Sequence, residues 1–329
     1  MSRRRSLEKH RQSLAEISNI MNSMKTLAYM ETLRLGRFLE AQQRVIRGIE
    51  TAAVDLLDAH PQILPHTQHM TPVYLLLGSE RGFCGDFNHA LLDRVVSTQT
   101  DSKTASIIAV GHKLCTLLED DPRVLLALDG AGVAEEVPQL LNQLINTLSQ
   151  LQLERGSLSL ICLYHQSKDH LVEQQLLPPF MTLTSSTTDK LHSHPPRLNL
   201  EPTNLLLQLT EQYLFAALHG VLYTSLMSEN HQRVDHLEGA VKHLQEESTR
   251  LIRTGNVLRQ EEITEEIEVI LLNADNAFGP EKRGQDSREH KQPGSYRRDW
   301  LRPKNPQNKD HCRGGITHDR CYENRDYED

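Results

Sequence analysis

Residues 14–56 read LAEISNIMNSMKTLAYMETLRLGRFLEAQQRVIRGIETAAVDL. Steps of three and four from Leu14 land on Ile17, Met21, Met24, Ala28, Glu31, Leu35, Phe38, Gln42, Val45, Ile49, Ala52 and Leu56, and only Glu31 and Gln42 break the apolar stripe. A seam that keeps a 3.5-residue period for about six heptads fits a coiled-coil helix; a helix lying on a globular core has a wider stripe that follows 3.6 residues. No proline interrupts the stretch. A helix over about 6–58 is predicted, and its seam alone would run roughly 65 Å at about 1.5 Å per residue. Such a helix needs a partner.

The same alternation returns at the other end of the chain, through Val234, Leu237, Val241, Leu244, Ser248, Leu251, Gly255, Leu258, Glu262, Glu265, Val269 and Leu272. Before it, Leu205, Leu209, Tyr213, Leu214, Ala217, Leu218, Val221, Leu222 and Leu226 form a broader apolar face. One nearly continuous helix over 203–276 is predicted. Two long helices at opposite ends, separated by sequence of another texture, predict a long antiparallel two-helix coiled coil carrying an inserted domain. The competing arrangement is two separate helices packed on that domain. Polar seam residues (Glu31, Gln42, Glu262, Glu265) mark register or a contact from outside the pair.

Between them lies a segment, 59–202, that begins with a proline-marked linker (Pro61, Pro65, Pro72) and continues as alternating strands and helices. Apolar runs at 73–77, 106–110, 123–128 and 157–164 read as buried strands. Helical stretches follow the first three, and 172–177 reads as an antiparallel edge strand. That order predicts a small α/β domain with a mostly parallel sheet. Past 276 the chain is rich in proline and charge and poor in aliphatics, so residues 277–329 are predicted to be a disordered tail.

The chain has 329 residues, a formal charge of −8 and 38% hydrophobic residues. It can bury a substantial core, and its acidic balance argues against a nucleic-acid partner. The basic start, Arg3, Arg4, Arg5, Lys9 and Arg11, reads as a solvated helix end or an anionic-surface contact. No apolar run reaches the roughly 20 residues of a membrane span. Five cysteines without a C-x-x-C pair predict free thiols. His192 and His194 form an H-x-H, but no carboxylate or cysteine cluster stands near them, so neither metal nor cofactor is expected. The loop Gly78–Gly85 sits between a strand and a helix, where anions bind, yet lacks the G-x-G-x-x-G spacing. Glu80, Asp86, Asp93, Asp129, Glu135 and Glu136 are scattered acids, with no nucleophile and base paired by spacing.

Three stretches resemble the γ subunit of rotary F-type ATP synthases. Ile17-Ser18-Asn19-Ile20-Met21-Asn22-Ser23, continued by Ala28-Tyr29-Met30-Glu31 and Ala41-Gln42, is similar to that family's first-helix pattern. Ser79-Glu80-Arg81-Gly82-Phe83-Cys84-Gly85-Asp86-Phe87-Asn88 resembles its S-[DE]-R-G-L-C-G-G-x-N turn. Ser228-Glu229, Arg233, Asn256, Arg259-Gln260 and Ile263-Thr264-Glu265-Glu266-Ile267 resemble its last helix. The resemblance spans about residues 5–276. Met24-Lys25-Thr26-Leu27-Ala28-Tyr29-Met30-Glu31-Thr32 and Asp86 depart from the common pattern towards the alternative, N-type branch, while Val269 and Asn273 occupy places where the family has an acid and then G-A.

The resemblance implies a non-catalytic rotor shaft that couples ion-driven rotation of a c-ring to conformational change at the β-subunit catalytic sites. It implies α, β and ε subunits and the c-ring as partners, and a peripheral place on the cytoplasmic face of the membrane. Arg259, Gln260, Thr264 and Glu266 are then expected to contact β-subunit loops. Ile17, Met21, Met24, Val241, Leu244 and Leu251 are expected on the coiled-coil seam. Arg81, Gly82, Cys84, Gly85 and Asn88 are expected in the turn of a foot domain near ε and the c-ring. The coupling ion, H+ or Na+, stays open. A free-standing coiled-coil scaffold and a nucleotide-binding α/β enzyme are the alternatives from other classes.

Overall fold

The computed structural model describes residues 3–63, 70–98, 106–168, 170–181 and 197–277, with side chains at 97–98 and 275–277 left aside. The predicted tail, the H-x-H and most of the loop before the last helix lie outside the described residues. The chain divides into Met1–Ile270 and Leu271–Asp329. Of the second unit only the last turns of the final helix are described, with Leu271 and Leu272 exposed.

The elements are α1 (Arg3–Ala59), β1 (Thr71–Leu77), α2 (Phe87–Thr98), β2 (Ser106–Val110), α3 (His112–Leu117), β3 (Val124–Leu128), α4 (Val137–Arg155), β4 (Leu158–Ser167), β5 (His170–Leu177) and α5 (Pro202–Ala277). A short 3-10 turn, Ala134–Glu136, precedes α4. The sheet order is β3-β2-β1-β4-β5. β1 pairs in parallel with β2 and β4, β2 in parallel with β3, and β5 closes the edge antiparallel to β4. Strands buried on both faces read as continuous apolar runs, as β1 and β2 do.

The pleat sorts the core into two layers. Val73, Leu75, Leu77, Ile108, Val110, Leu160 and Cys162 face α4 and the two long helices. Leu76, Ile107, Ala109 and Leu163 face α2 and α3, with Phe87, Leu91 and Leu114 packed on them. The long helices are therefore part of the domain's own core over much of their length. From Tyr213 to Arg233, α5 is buried on most of its circumference.

α1 and α5 run antiparallel and in contact. Arg4 meets Glu262 (3.7 Å), the Phe38 ring stacks on Tyr223 (centroids 5.5 Å apart), and Gln42 Nε2 donates to Ala216 O (2.9 Å). A Cβ on Gly220 would stand 3.2 Å from Ile46 Cδ1, so glycine there permits the close approach.

Burial along α5 follows the expected seam from Val234 to Glu262, residue by residue. Along α1 the covered positions are Leu7, Arg11, Leu14, Ser18, Met21, Lys25, Ala28, Thr32, Leu35, Leu39, Gln42, Ile46, Ile49, Ala53 and Leu56. This corrects the expected seam at Ile17, Phe38, Val45 and Ala52, whose covered places Ser18, Leu39, Ile46 and Ala53 take, while Met24 and Glu31 are themselves half-covered. Ile17 is 43% exposed, and Phe38 and Val45 are exposed too, while Met24 is half-covered beside Lys25. Phe38 and Val45 each sit beside a second apolar residue, Leu39 and Ile46, so apolarity could not choose the phase; at the first step polar Ser18 takes the covered place.

Candidate functional site

The region where chemistry concentrates is the set of loops at the C-terminal ends of β1, β2 and β3. In open α/β sheets this edge is where ligands bind. Here the chain's own side chains occupy it. Glu80 Oε2 accepts the backbone N–H of Gly130 (2.6 Å) and of His112 (2.9 Å), two groups that an anionic ligand would otherwise meet. Gly111 and Gly78 approach so closely that a Cβ on Gly111, at φ 107°, would lie 2.7 Å from Gly78 O.

The turn after β1 is shaped by left-handed backbone at Phe83 (φ 66°) and Gly85 (φ 63°). Asn88 pins it, accepting Ser79 N (2.9 Å) at Oδ1 and donating from Nδ2 to Ser79 Oγ (2.9 Å). The middle of α5 reaches into this turn. Glu229, 3% exposed, accepts the backbone N–H of Arg81 (3.1 Å) and Glu80 (3.3 Å). Arg233, 4% exposed, pairs with the Glu229 carboxylate, and donates from Nε to Gly82 O (3.1 Å), from Nη1 to Asn230 Oδ1 (2.7 Å) and from Nη2 to Cys84 Sγ (3.4 Å). Burial holds the Glu229 carboxyl above the usual carboxylate range, against the pull of Arg233 and the two backbone donors. The Cys84 thiol is pushed up to about 12, first by burial and then by Glu229. A thiol held protonated is a poor nucleophile.

α1 has its own tie to the same edge. Glu31 Oε1 accepts Ala134 N (2.6 Å), and Arg34 forms an ion pair with Glu135. Glu136 Oε2 accepts Gly132 N (2.7 Å), and the Arg81 guanidinium lies against Gly132. So Arg81, Gly82, Cys84, Gly85 and Asn88 are brought together, but around α5: the nearest neighbour a Gly85 Cβ would meet is His236. Of the polar seam residues, Glu31, Gln42 and Glu262 each have a partner in this chain.

The positions expected to face other subunits lie elsewhere on α5. Arg259, Gln260, Thr264 and Glu266 are exposed, with Thr264 Oγ1 donating to Gln260 O (2.9 Å). Arg259 lines a groove of about 270 Å³ with Arg4, Arg11, Leu251 and Gly255. Val241 is buried, and Leu244, Leu251 and Met21 are half-buried. Exposed aliphatics accompany them, among them Ile252, Val257, Ile263 and Ile267 on α5 and Ile20, Leu27 and Met30 on α1.

Among the described residues no group of three or more His, Cys, Asp or Glu could hold a metal, and no helix is long and apolar enough to cross a membrane. Cys84, Cys115 and Cys162 are free. Two histidines lie against the core, His165 buried on β4 and His219 half-buried on α5. The His165 ring is 4.1 Å from Phe87 with Nε2 on Phe87 O (2.9 Å), and His219 stands 4.5 Å from Tyr223; burial lowers both below the usual histidine value. The Glu229–Arg233 pair was the feature sequence reasoning left without a structural role. Its signal was a charged i, i+4 pair directly after a long apolar face.

The family model described as ATP synthase matches residues 3–275. The ATP synthase gamma chain of Clostridium botulinum is 22% identical over 282 residues, 80% of this chain and 96% of the relative. That of Clostridium novyi is 24% identical over 207 residues, 61% of this chain and 71% of the relative. Among solved structures, the rotor of the Euglena gracilis mitochondrial ATP synthase superposes with a TM-score of 0.53 at 14% identity, covering 79% of this chain and 98% of that one.

Proposed function

This chain belongs to the ATP synthase family, and we infer that it is the complex's central rotor shaft, a gamma chain that carries no catalytic residue of its own. The observation that carries the reading is the antiparallel pairing of α1 with α5 across most of α1, on a chain matched from residue 3 to residue 275. An asymmetric shaft that turns inside a ring of alternating α and β subunits favours a different conformation in each β subunit at any instant. Rotation driven from the membrane then takes each catalytic site through binding, synthesis and release.

Segments 1–58 and 203–276 form a coiled coil, which the four-and-three burial repeat on both helices supports. Segment 59–202 is the foot domain, placed beside the ε subunit and the c-ring, and the complex holds the chain peripherally at the membrane. The outer end of the pair enters the hexamer. There Arg259, Gln260, Thr264 and Glu266 meet β-subunit loops through charge-assisted hydrogen bonds that form at some angles and break at others. Their exposure, and the exposed aliphatics around them, support that role.

Co-expression with α and β subunits of the same source tests this, by native mass and ATPase activity with and without residues 277–329. One copy bound per three α and three β, with activity depending on it, is the expected result. Failure of both forms to join the hexamer, with self-association instead, would move a free-standing scaffold to the front.

A further inference from the structure

Each long helix is tied by carboxylate side chains to one small piece of backbone. From α5, Glu229 takes two backbone N–H groups of the turn after β1, and Arg233 returns a bond to Gly82 O. From α1, Glu31 takes Ala134 N in the segment after β3. The two receiving segments are joined to each other through Glu80, whose Oε2 accepts Gly130 N. Each of these ties ends on backbone, which cannot swivel as a side chain can; the Arg34–Glu135 ion pair and the Arg233–Cys84 Sγ bond add side-chain links beside them.

We propose that this clamp at the strand ends is the joint through which angular displacement passes between the α/β domain and the helix pair, with Glu229, Arg233 and Glu31 as its positioning residues. The proposal rests on the rotor reading above. Apolar contact along a seam is strong but non-directional, so it resists separation of the helices far better than it resists their turning against the sheet. Hydrogen bonds fall off steeply with angle, and charge-assisted ones are about twice as strong as neutral ones. Three carboxylates aimed at fixed N–H groups, Glu229 nearly dry and Glu31 and Glu80 half-buried, therefore supply the stiffness about the helix axis that the core alone lacks. Ties on both helices hold the pair at two points, and two points fix an angle where one does not.

The test uses the assembled complex, with the hexamer immobilised and a bead attached through a biotin-acceptor peptide inserted in the exposed turn at Glu119–Asp120. With ATP the wild-type bead rotates; a complex that assembles but never turns would refute the rotor reading and not the clamp. At arrest, the angular variance of the bead reports torsional stiffness. Glu31→Ala, and the pair Glu229→Gln with Arg233→Met, are each expected to raise that variance by about two-fold or more. Glu31→Gln keeps an acceptor oxygen for Ala134 N and should restore most of the stiffness, which a general loss of stability would not predict. Wild-type variance in assembled Glu31→Ala complexes overturns the proposal, and that variant alone decides it if the buried pair prevents assembly.

Discussion

Two stretches of the same helix carry the same kinds of polar side chain and treat them in opposite ways. Between Ser228 and Arg233, α5 buries Glu229, Asn230, Gln232 and Arg233 within the α/β domain, and all four have hydrogen-bond partners. Between Arg259 and Glu266 it leaves Arg, Gln, Thr and Glu in solvent. Burying a charge is costly unless it is paired, so the first stretch holds one geometry or none. The second stretch can exchange water for a partner wherever that partner supplies matching hydrogen bonds. The rotor shaft proposed here would use both, an inner part held within its own domain and an outer part open to its surroundings.

The largest expected effect separates the two arginines. Arg233→Met leaves the Glu229 carboxyl buried without its cation and should cost about 3–5 kcal/mol, whereas Arg259→Met should change stability by less than about 0.5 kcal/mol. Urea unfolding of the isolated chain measures both, and equal costs would break the comparison. Next come the aliphatics. Leu218→Ala, at a fully buried position, should cost about 3 kcal/mol, and Leu258→Ala, on the half-covered seam, about 1 kcal/mol. Similar values would mean that the outer seam is as tightly packed as the domain.

The smallest effect concerns pH. Burial depresses His165, so the folded state binds fewer protons there than the unfolded one. Its contribution is present above the unfolded value, near 6.5, and is lost as pH falls through the window below it. Relative to His165→Gln, wild-type stability should fall by at most about 1.4 kcal/mol per pH unit in that window. Taking the difference between the two proteins removes the opposite drift expected from Glu50 and Glu229, whose carboxyls burial raises. A difference that stays flat from pH 7.5 to pH 5 or so would show that His165 is already solvated or paired.

The long helices, the five strands and the antiparallel edge were legible because hydrophobic period and turn residues are local properties. The seam of α5 was legible from Val234 to Glu262, but its expected continuation through Glu265, Val269 and Leu272 is exposed. On α1 the anchors Leu14, Met21, Leu35 and Ile49 were right and the alternates slipped by one, at Phe38 against Leu39 and Val45 against Ile46. Glu31 was visible as a break in a stripe and as a mark of some contact, but not as the acceptor of Ala134 N. Nothing local connects Glu229 with Glu80, which are 149 residues apart.

What the sequence determined by itself is therefore the kind and order of the elements, and with them the paired-helix shaft around an α/β insert. Only the tertiary structure decided which way α1 turns its face and where the buried charges end. A repeat specifies a spacing and leaves its phase to whatever packs against it. A hydrogen bond between distant segments exists only once the fold has carried a donor and an acceptor to within about 3 Å of each other.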